Sequence, residues 1–343
     1  MINDNLLKKS KSRKELSTEK FLILIIVVYC IVVSVVNPEF LNAATVFDMV
    51  KSAAGTMVIA MGLLLVIISG GIDVSFTAIA IFGGYVATKT LMGTGIDNIA
   101  LCFVIACSIG LGLGLLNAVF IHITKMEPFI ITLGTSSLYH GIVTTFIGTK
   151  NIGSLDMPSS ITNFGEAKLF TMPDGFGGVM GLSVFFVIIV AVVAFTWFIL
   201  KKTMLGKSIF ALGCSPEAAR RAGFNIWKTH LFVYGYMGVL SGIMGVLYIA
   251  LVNGCNPVTL VGTELTVIAA VIIGGAKVAG GQGTILGTIL GVSLMYIMNT
   301  TLIFLGFSSS WNNLFLGIVL LFSIIMTSYQ ERKKNRRLFI FTE

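Results

Sequence analysis

From Asn98 to Thr124 the chain reads NIALCFVIACSIGLGLGLLNAVFIHIT, without one Asp, Glu, Lys or Arg. A run of about 18 or more such residues is long enough, as a helix, to cross the ~30 Å hydrocarbon core of a bilayer. Outward from it, further apolar runs lie at 21–36, 53–69, 74–91, 128–148, 178–200, 229–252, 264–275, 284–305 and 312–329. Together they predict an all-α polytopic membrane protein of ten spans within 343 residues, the eighth being the shortest. Composition agrees: 56% of residues are hydrophobic, 11% are charged and the mean hydropathy is +0.96. A soluble domain carries about a quarter charged residues, so a soluble enzyme, a disordered chain, a collagen and a disulfide scaffold are all excluded.

The distribution of charge orients the spans. If the N-terminus is inside, the inner segments hold six Lys/Arg in the N-tail, Lys125, six in 201–228, Lys277 and five in the C-tail, which is 19 of the 23. Only Lys51, Lys89, Lys150 and Lys168 fall outside. Cytoplasmic loops carry the excess of Lys and Arg, so both termini are expected in the cytoplasm. The same rule explains the net charge of +8 without a nucleic-acid partner. The apolar run 21–36 ends in Asn37-Pro38-Glu39-Phe40 with no small-residue cleavage pattern, and it reads as an uncleaved first helix rather than a signal peptide. The expected organisation is a basic N-tail over 1–20, one transmembrane domain over 21–329 and a basic C-tail over 330–343. Two connections exceed a turn, an external one at 149–177 and a cytoplasmic one at 201–228, and long loops in compact proteins tend to be functional.

Within the spans, Gly110-x-x-x-Gly114 and Gly283-x-x-x-Gly287-x-x-x-Gly291 set small residues on one helical face, where two backbones can approach closely. Asp48, Lys51, Asp73, Lys89, Asp97, Glu127 and Glu264 fall at or near expected helix ends, and only His140 lies near the middle of a span. A proton-driven transporter normally carries an ionisable group at depth, so the sequence disfavours one. An ion-coupled secondary transporter stays open as an alternative, since backbone carbonyls and hydroxyls at broken helices hold sodium. The nucleotide-binding pattern GxxxxGK(S/T) and the enzyme patterns HExxH and GxSxG are missing, so no covalent chemistry, cofactor or metal is expected of the chain itself. The five cysteines and three histidines are too scattered for a zinc site or disulfide framework.

Three groups of residues are candidates for function. In the 201–228 loop, Ser215 suits an N-cap, Pro216 the first helical position and Glu217 the first turn, while Gly223 suits the stop. They predict a two-turn helix whose small residues Ala218, Ala219 and Ala222 either seat in a groove of another protein or simply face solvent. Asp73 follows Gly70-Gly71 and opens a helix, where it serves as a cap or as a polar contact in a broken helix near the solute path. Thr132, Ser136, His140 and Thr144 recur every four residues, with Thr135 and Tyr139 beside them. That stripe reads equally as a pathway for a hydroxylated solute and as hydrogen-bonding glue between helices. Asn299, with Thr300 and Thr301, is a weaker second pathway candidate.

Four of these segments, in order, resemble the permease subunits of bacterial ATP-binding-cassette importers of the ribose, or simple sugar, type. They are Gly70-Gly71-Ile72-Asp73-Val74-Ser75, Pro128-Phe129-Ile130-Ile131-Thr132-Leu133-Gly134-Thr135, Glu217-Ala218-Ala219-x-x-x-Gly223, and Glu264 to Gly275 followed by Ala279-Gly280-Gly281-Gln282-Gly283-Thr284. The resemblance covers about residues 45 to 325. It implies that Ser215, Pro216, Glu217, Ala218, Ala219 and Gly223 form a coupling segment that docks on a separate ATPase, which uses ATP and Mg. It also implies a second permease chain, identical or paralogous, an extracytoplasmic solute-binding protein, and a place in the bacterial cell membrane. The implied solute is a simple sugar such as a pentose, with a nucleoside or a sugar-derived signal as alternatives. The chain departs from the family pattern at Phe76-Thr77, Ala276-Lys277 and Met298-Asn299-Thr300-Thr301, and these departures bear on the solute rather than the fold.

Overall fold

The computed structural model of the chain describes residues 18–173 and 179–304, with 311, 314, 317, 318, 321 and 325. The C-tail, most of the N-tail and most of the tenth expected span lie outside the described residues; the five described positions of that span are helical. Among the described residues, seven helices are long and apolar enough to cross a membrane: Thr18–Val36, Ala43–Ile68, Ile99–Thr124, Pro128–Ile147, Phe185–Lys202, Ile226–Val252 and Ile285–Leu302. The fold is thus all-α and polytopic. The third expected span is a helix, Phe76–Thr94, but its Thr and Gly content makes it less apolar. The eighth is Glu264–Ile273, ten residues and so about 15 Å long, half a bilayer.

In chain order the helices are α1 (Thr18–Val36), α2 (Ala43–Ile68), α3 (Phe76–Thr94), α4 (Ile99–Thr124), α5 (Pro128–Ile142), α6 (Ser159–Glu166), α7 (Phe185–Lys202), α8 (Met204–Cys214), α9 (Pro216–Arg221), α10 (Ile226–Val252), α11 (Glu264–Ile273) and α12 (Ile285–Phe304). A small hairpin, β1 (Met172–Pro173) with β2 (Val179–Met180), lies between α6 and α7. The sixth expected span therefore begins at Phe185 rather than 178, because the preceding residues are occupied by the hairpin. Local chemistry sets the boundaries. Asn42, Asn98, Thr203 and Asn225 cap α2, α4, α8 and α10 through side-chain oxygens that accept backbone N–H groups. Pro128 opens α5, and Lys125 and Asn253 close α4 and α10 in the left-handed region.

α2 and α10 form the centre. From Ala53 to Ile68 nearly every residue of α2 is buried, whichever side of the helix it occupies, which marks a helix surrounded by others. α1 and α7 lie at the periphery, where Ile31, Val35, Phe195 and Phe198 are exposed and face lipid tails in a bilayer. Close approach of α4 to α10 depends on glycine, because a Cβ on Gly110 would overlap the carbonyl oxygen of Gly238. The second expected glycine face packs likewise, with Gly287 against Gly274 and Gly291 against Ala270.

The 149–184 connection is held down at several points. Ile152 pairs with Cys255 as an isolated antiparallel bridge. At the start of α6, the Asp97 carboxylate accepts the Ser159 hydroxyl and the Ser160 N–H, the latter at 2.9 Å. The Ser159 bond foremost, then Ser160, hold the Asp97 carboxyl below the usual carboxylate range. This anchor is therefore at full strength above the ordinary carboxylate pKa and is lost as pH falls through the depressed value. Amide exchange of Ser160 and Ile161 should accelerate in that acid window, and Asp97→Asn should flatten the pH dependence. A pH dependence as steep in Asp97→Asn as in the parent chain would refute this.

Candidate functional site

Two helix starts meet at a buried residue, Thr77. After Ile68 the chain turns at Gly70 (φ +89°) and runs without regular structure over 71–75 before α3 starts. Ser75 Oγ accepts Asn117 Nδ2 at 2.7 Å. Asn117 lies seven residues before the end of α4, about 10 Å along its axis, so α3 starts well inside the packed helices. Irregular backbone is tolerated at membrane depth only where it is buried in protein or lines a wet cavity, and here Asp73 and Ser75 are fully buried. Their polar groups satisfy one another. Asp73 Oδ1 accepts both the N–H and the hydroxyl of Ser75 at 2.7 Å, and Asn117 Oδ1 accepts the Tyr139 hydroxyl at 2.9 Å. Thr132 Oγ1 accepts the Val74 N–H and donates to the Ile72 carbonyl, both at 3.2 Å.

The second such start is α11. Glu264, its first residue, accepts a hydrogen bond from Thr77 in the first turn of α3, and also from the Gly262 N–H at 3.1 and 2.9 Å. Thr77 is completely buried. Two half-inserted helices therefore meet N-terminus to N-terminus through one carboxylate.

At the Ile68 end of α2 three turns converge. The Gly281 N–H donates to the carbonyl of Ile68, the last residue of α2, at 2.8 Å. Gly213, near the end of α8, fits against that pair so closely that a Cβ on it would overlap the Ile68 oxygen and lie 2.5 Å from the Gly281 nitrogen. Gly70 and Gly280 also pack on Gly213. The turn after α2, the end of α8 and the turn between α11 and α12 thus form one glycine junction.

α9 follows α8 directly. Ser215 caps it by accepting the Ala218 N–H at 3.2 Å, Pro216 takes the first position, and Gly223 has φ +84°. Pro216, Glu217, Ala218, Arg220 and Arg221 are exposed. Ala219 is buried against the chain's own helices.

Toward the other end of α2, along residues 44–56 and so about 18–36 Å from Ile68, two chambers adjoin. The outer, about 520 Å³, is lined by Asp48, Lys51, Glu166, Lys168 and β2. The inner, about 270 Å³, lies between α2, α10, α11 and α12. Lys51 lines both.

A family described as branched-chain amino acid transport system / permease component matches residues 45–324. The chain belongs to this family. Among curated proteins, the permease is similar to the ribose import permease protein RbsC of Bacillus subtilis, 32% identical over 305 residues, covering 89% of this chain and 90% of that one. RbsC of Haemophilus influenzae is 30% identical over 315 residues, 92% and 94% of the two chains. The galactose/methyl galactoside import permease protein MglC of Escherichia coli is 28% identical over 312 residues, 87% and 90%. No solved structure matches the chain.

The permease divides the stripe read from its sequence. Asp73, Thr132 and Tyr139 are brought together, but their polar atoms are committed to α3, α4 and the 71–75 segment. Thr135 and Thr144 bond carbonyls of their own helix. Ser136 is buried, and His140 Nε2 is buried without a partner. None of these lines either chamber, whereas Asn299 lines the inner one. Sequence reading missed Glu264 and Thr77 as a pair, and it missed Lys51. The available signal was that Glu264 opens an apolar run too short to span.

Proposed function

We propose that the chain is the membrane subunit of an ATP-driven importer of a simple sugar of the ribose type, with both termini in the cytoplasm. A separate ATPase docks on α9, a second permease chain completes the path, and an extracytoplasmic binding protein delivers solute over the 149–184 connection. The names of RbsC and MglC support the solute class. The observation that carries the reading is the position of α9: exposed, capped, and rooted through α8 in the glycine junction, with the two chambers at the other end of α2. A push on α9 reaches the turn before α3 and the turn after α11 without passing through a flexible segment. Conformational work done by a nucleotide-hydrolysing partner then moves both helices that begin inside the bundle, which is the kind of element an alternating-access path uses.

Glu217→Arg places a cation in the first turn of α9, where the helix dipole favours an anion. Gly223→Trp forces a bulky side chain into a left-handed position, although its Cβ would have open space. Each variant should reach the membrane in normal amount and lose association with the co-expressed ATPase by about tenfold or more, the factor of 1.4 kcal/mol. Co-purification measures it, and an undiminished ATPase yield with both variants would sink the docking reading. Uptake in ATP-depleted vesicles that follows an ion gradient would instead favour a secondary transporter.

A further inference from the structure

The inner chamber has a chemistry that the importer reading does not by itself supply. Its lining mixes apolar side chains, Met244, Leu247, Val267 and Met295, with the rings of Tyr248 and Tyr296 and the polar groups of Thr56, Thr263, Thr266 and Asn299. Thr56 Oγ1 and Tyr296 OH lie 2.7 Å apart, so one hydroxyl donates to the other and the acceptor's own proton stays available. Asn299 Oδ1 is buried with no hydrogen-bond partner among the described residues. A carboxamide both donates and accepts, which complements a hydroxyl group.

Charge narrows the ligand. Among the described residues no Asp or Glu lines the inner chamber, so no carboxylate there calls for a charged partner. Its one charged residue, Lys51, also faces the outer chamber, where Asp48 and Glu166 balance Lys51 and Lys168. Size narrows it further: about 270 Å³ falls just under the ~300–1,000 Å³ typical of small-molecule pockets.

We infer that the inner chamber is a solute site within this chain, that it takes a small neutral polyhydroxyl molecule with one apolar face, and that Lys51 stands at its entrance from the outer chamber. The apolar side chains of the lining and the Tyr248 ring take the C–H groups of the molecule. Asn299 and the Thr56–Tyr296 pair take its hydroxyl edge. This inference rests on the importer reading for the choice of sugar probes, but it concerns a different end of the molecule from the coupling segment.

The test is site-directed thiol labelling of the full-length chain in membrane vesicles. Thr266→Cys, with Ser52→Cys as a second position, is exposed to a charged methanethiosulfonate reagent with and without D-ribose or D-galactose. The labelled peptide is quantified by mass, so the five native cysteines do not interfere. One of the sugars should slow labelling of Thr266→Cys about tenfold and leave Ser154→Cys, in the exposed connection, unchanged. Asn299→Leu should raise the sugar concentration needed for protection by about tenfold or more. Lack of labelling at both 266 and 52, or labelling unaffected by either sugar, overturns the site, and so does protection that survives Asn299→Leu. ATP-driven uptake of the same sugars by the co-expressed importer is read separately. Uptake without protection overturns the inner site and leaves the importer reading intact; protection without uptake does the reverse.

Discussion

Gly213→Val is expected to abolish transport while leaving the helices in place. The added Cβ would overlap the Ile68 carbonyl oxygen and crowd the Gly281 nitrogen, the two atoms joined by the 2.8 Å bond that closes the junction. Either that bond opens, leaving polar backbone unpaired at about 1–3 kcal/mol, or α8 backs away and α9 moves with it. A bias of that size between arrangements is about ten- to hundredfold in their populations, and uptake should fall accordingly. The control is Gly112→Val in α4, where an added Cβ meets nothing within 4 Å. Membrane level and thermal midpoint separate misfolding from loss of coupling: ATP hydrolysis by the assembled importer should persist in Gly213→Val but no longer respond to loaded binding protein. Normal uptake by the valine variant would remove the junction from the transmission path.

The second large effect is expected at Glu264. Leucine there removes the acceptor of the Thr77 hydroxyl, which is completely buried, together with both bonds to the Gly262 N–H. The orphaned hydroxyl alone costs about 1–3 kcal/mol. Beyond stability, α3 and α11 lose the single side chain that joins their starts, so uptake should fall further than the thermal midpoint suggests. Glu264→Gln keeps an acceptor oxygen and should recover most of both. If leucine and glutamine behave alike, the hydrogen bond is not what matters at this position.

Much of this was legible in the chain. Uninterrupted apolar runs such as 98–124 leave the backbone no partners but its own, so helices follow wherever the run is long enough. The Ser215, Pro216 and Gly223 signals act within a few residues, which is why α9 was readable to its cap. Spacing of Gly110 and Gly114 identified a close-packed face, though not that α10 lies on it. Depth was not readable. Asp73 and Glu264 each sit beside a helix start, and helix starts are ordinarily at the surface; only the three-dimensional path shows that the chain is already buried among the helices before α3 begins. The stripe on α5 had the right residues for a pathway and also for bonding between helices. Thr132 and Tyr139 turned out to be held by neighbouring backbone and side chains, a distinction that periodicity does not contain. Lys51 carried no local signal, since its place between two chambers depends on α2, α6 and the hairpin together.

One helix, α2, carries Lys51 near one end and the Ile68 carbonyl at the other. Reciprocity follows from that continuity. Whatever factor the ATPase, by gripping the inner face, applies to the affinity for solute outside, bound solute must return unaltered to the grip of the ATPase. Where the ATPase favours the solute-holding arrangement, a cell that raised the amount of sugar would tighten the hold on its own engine; where it favours the empty one, the hold would loosen.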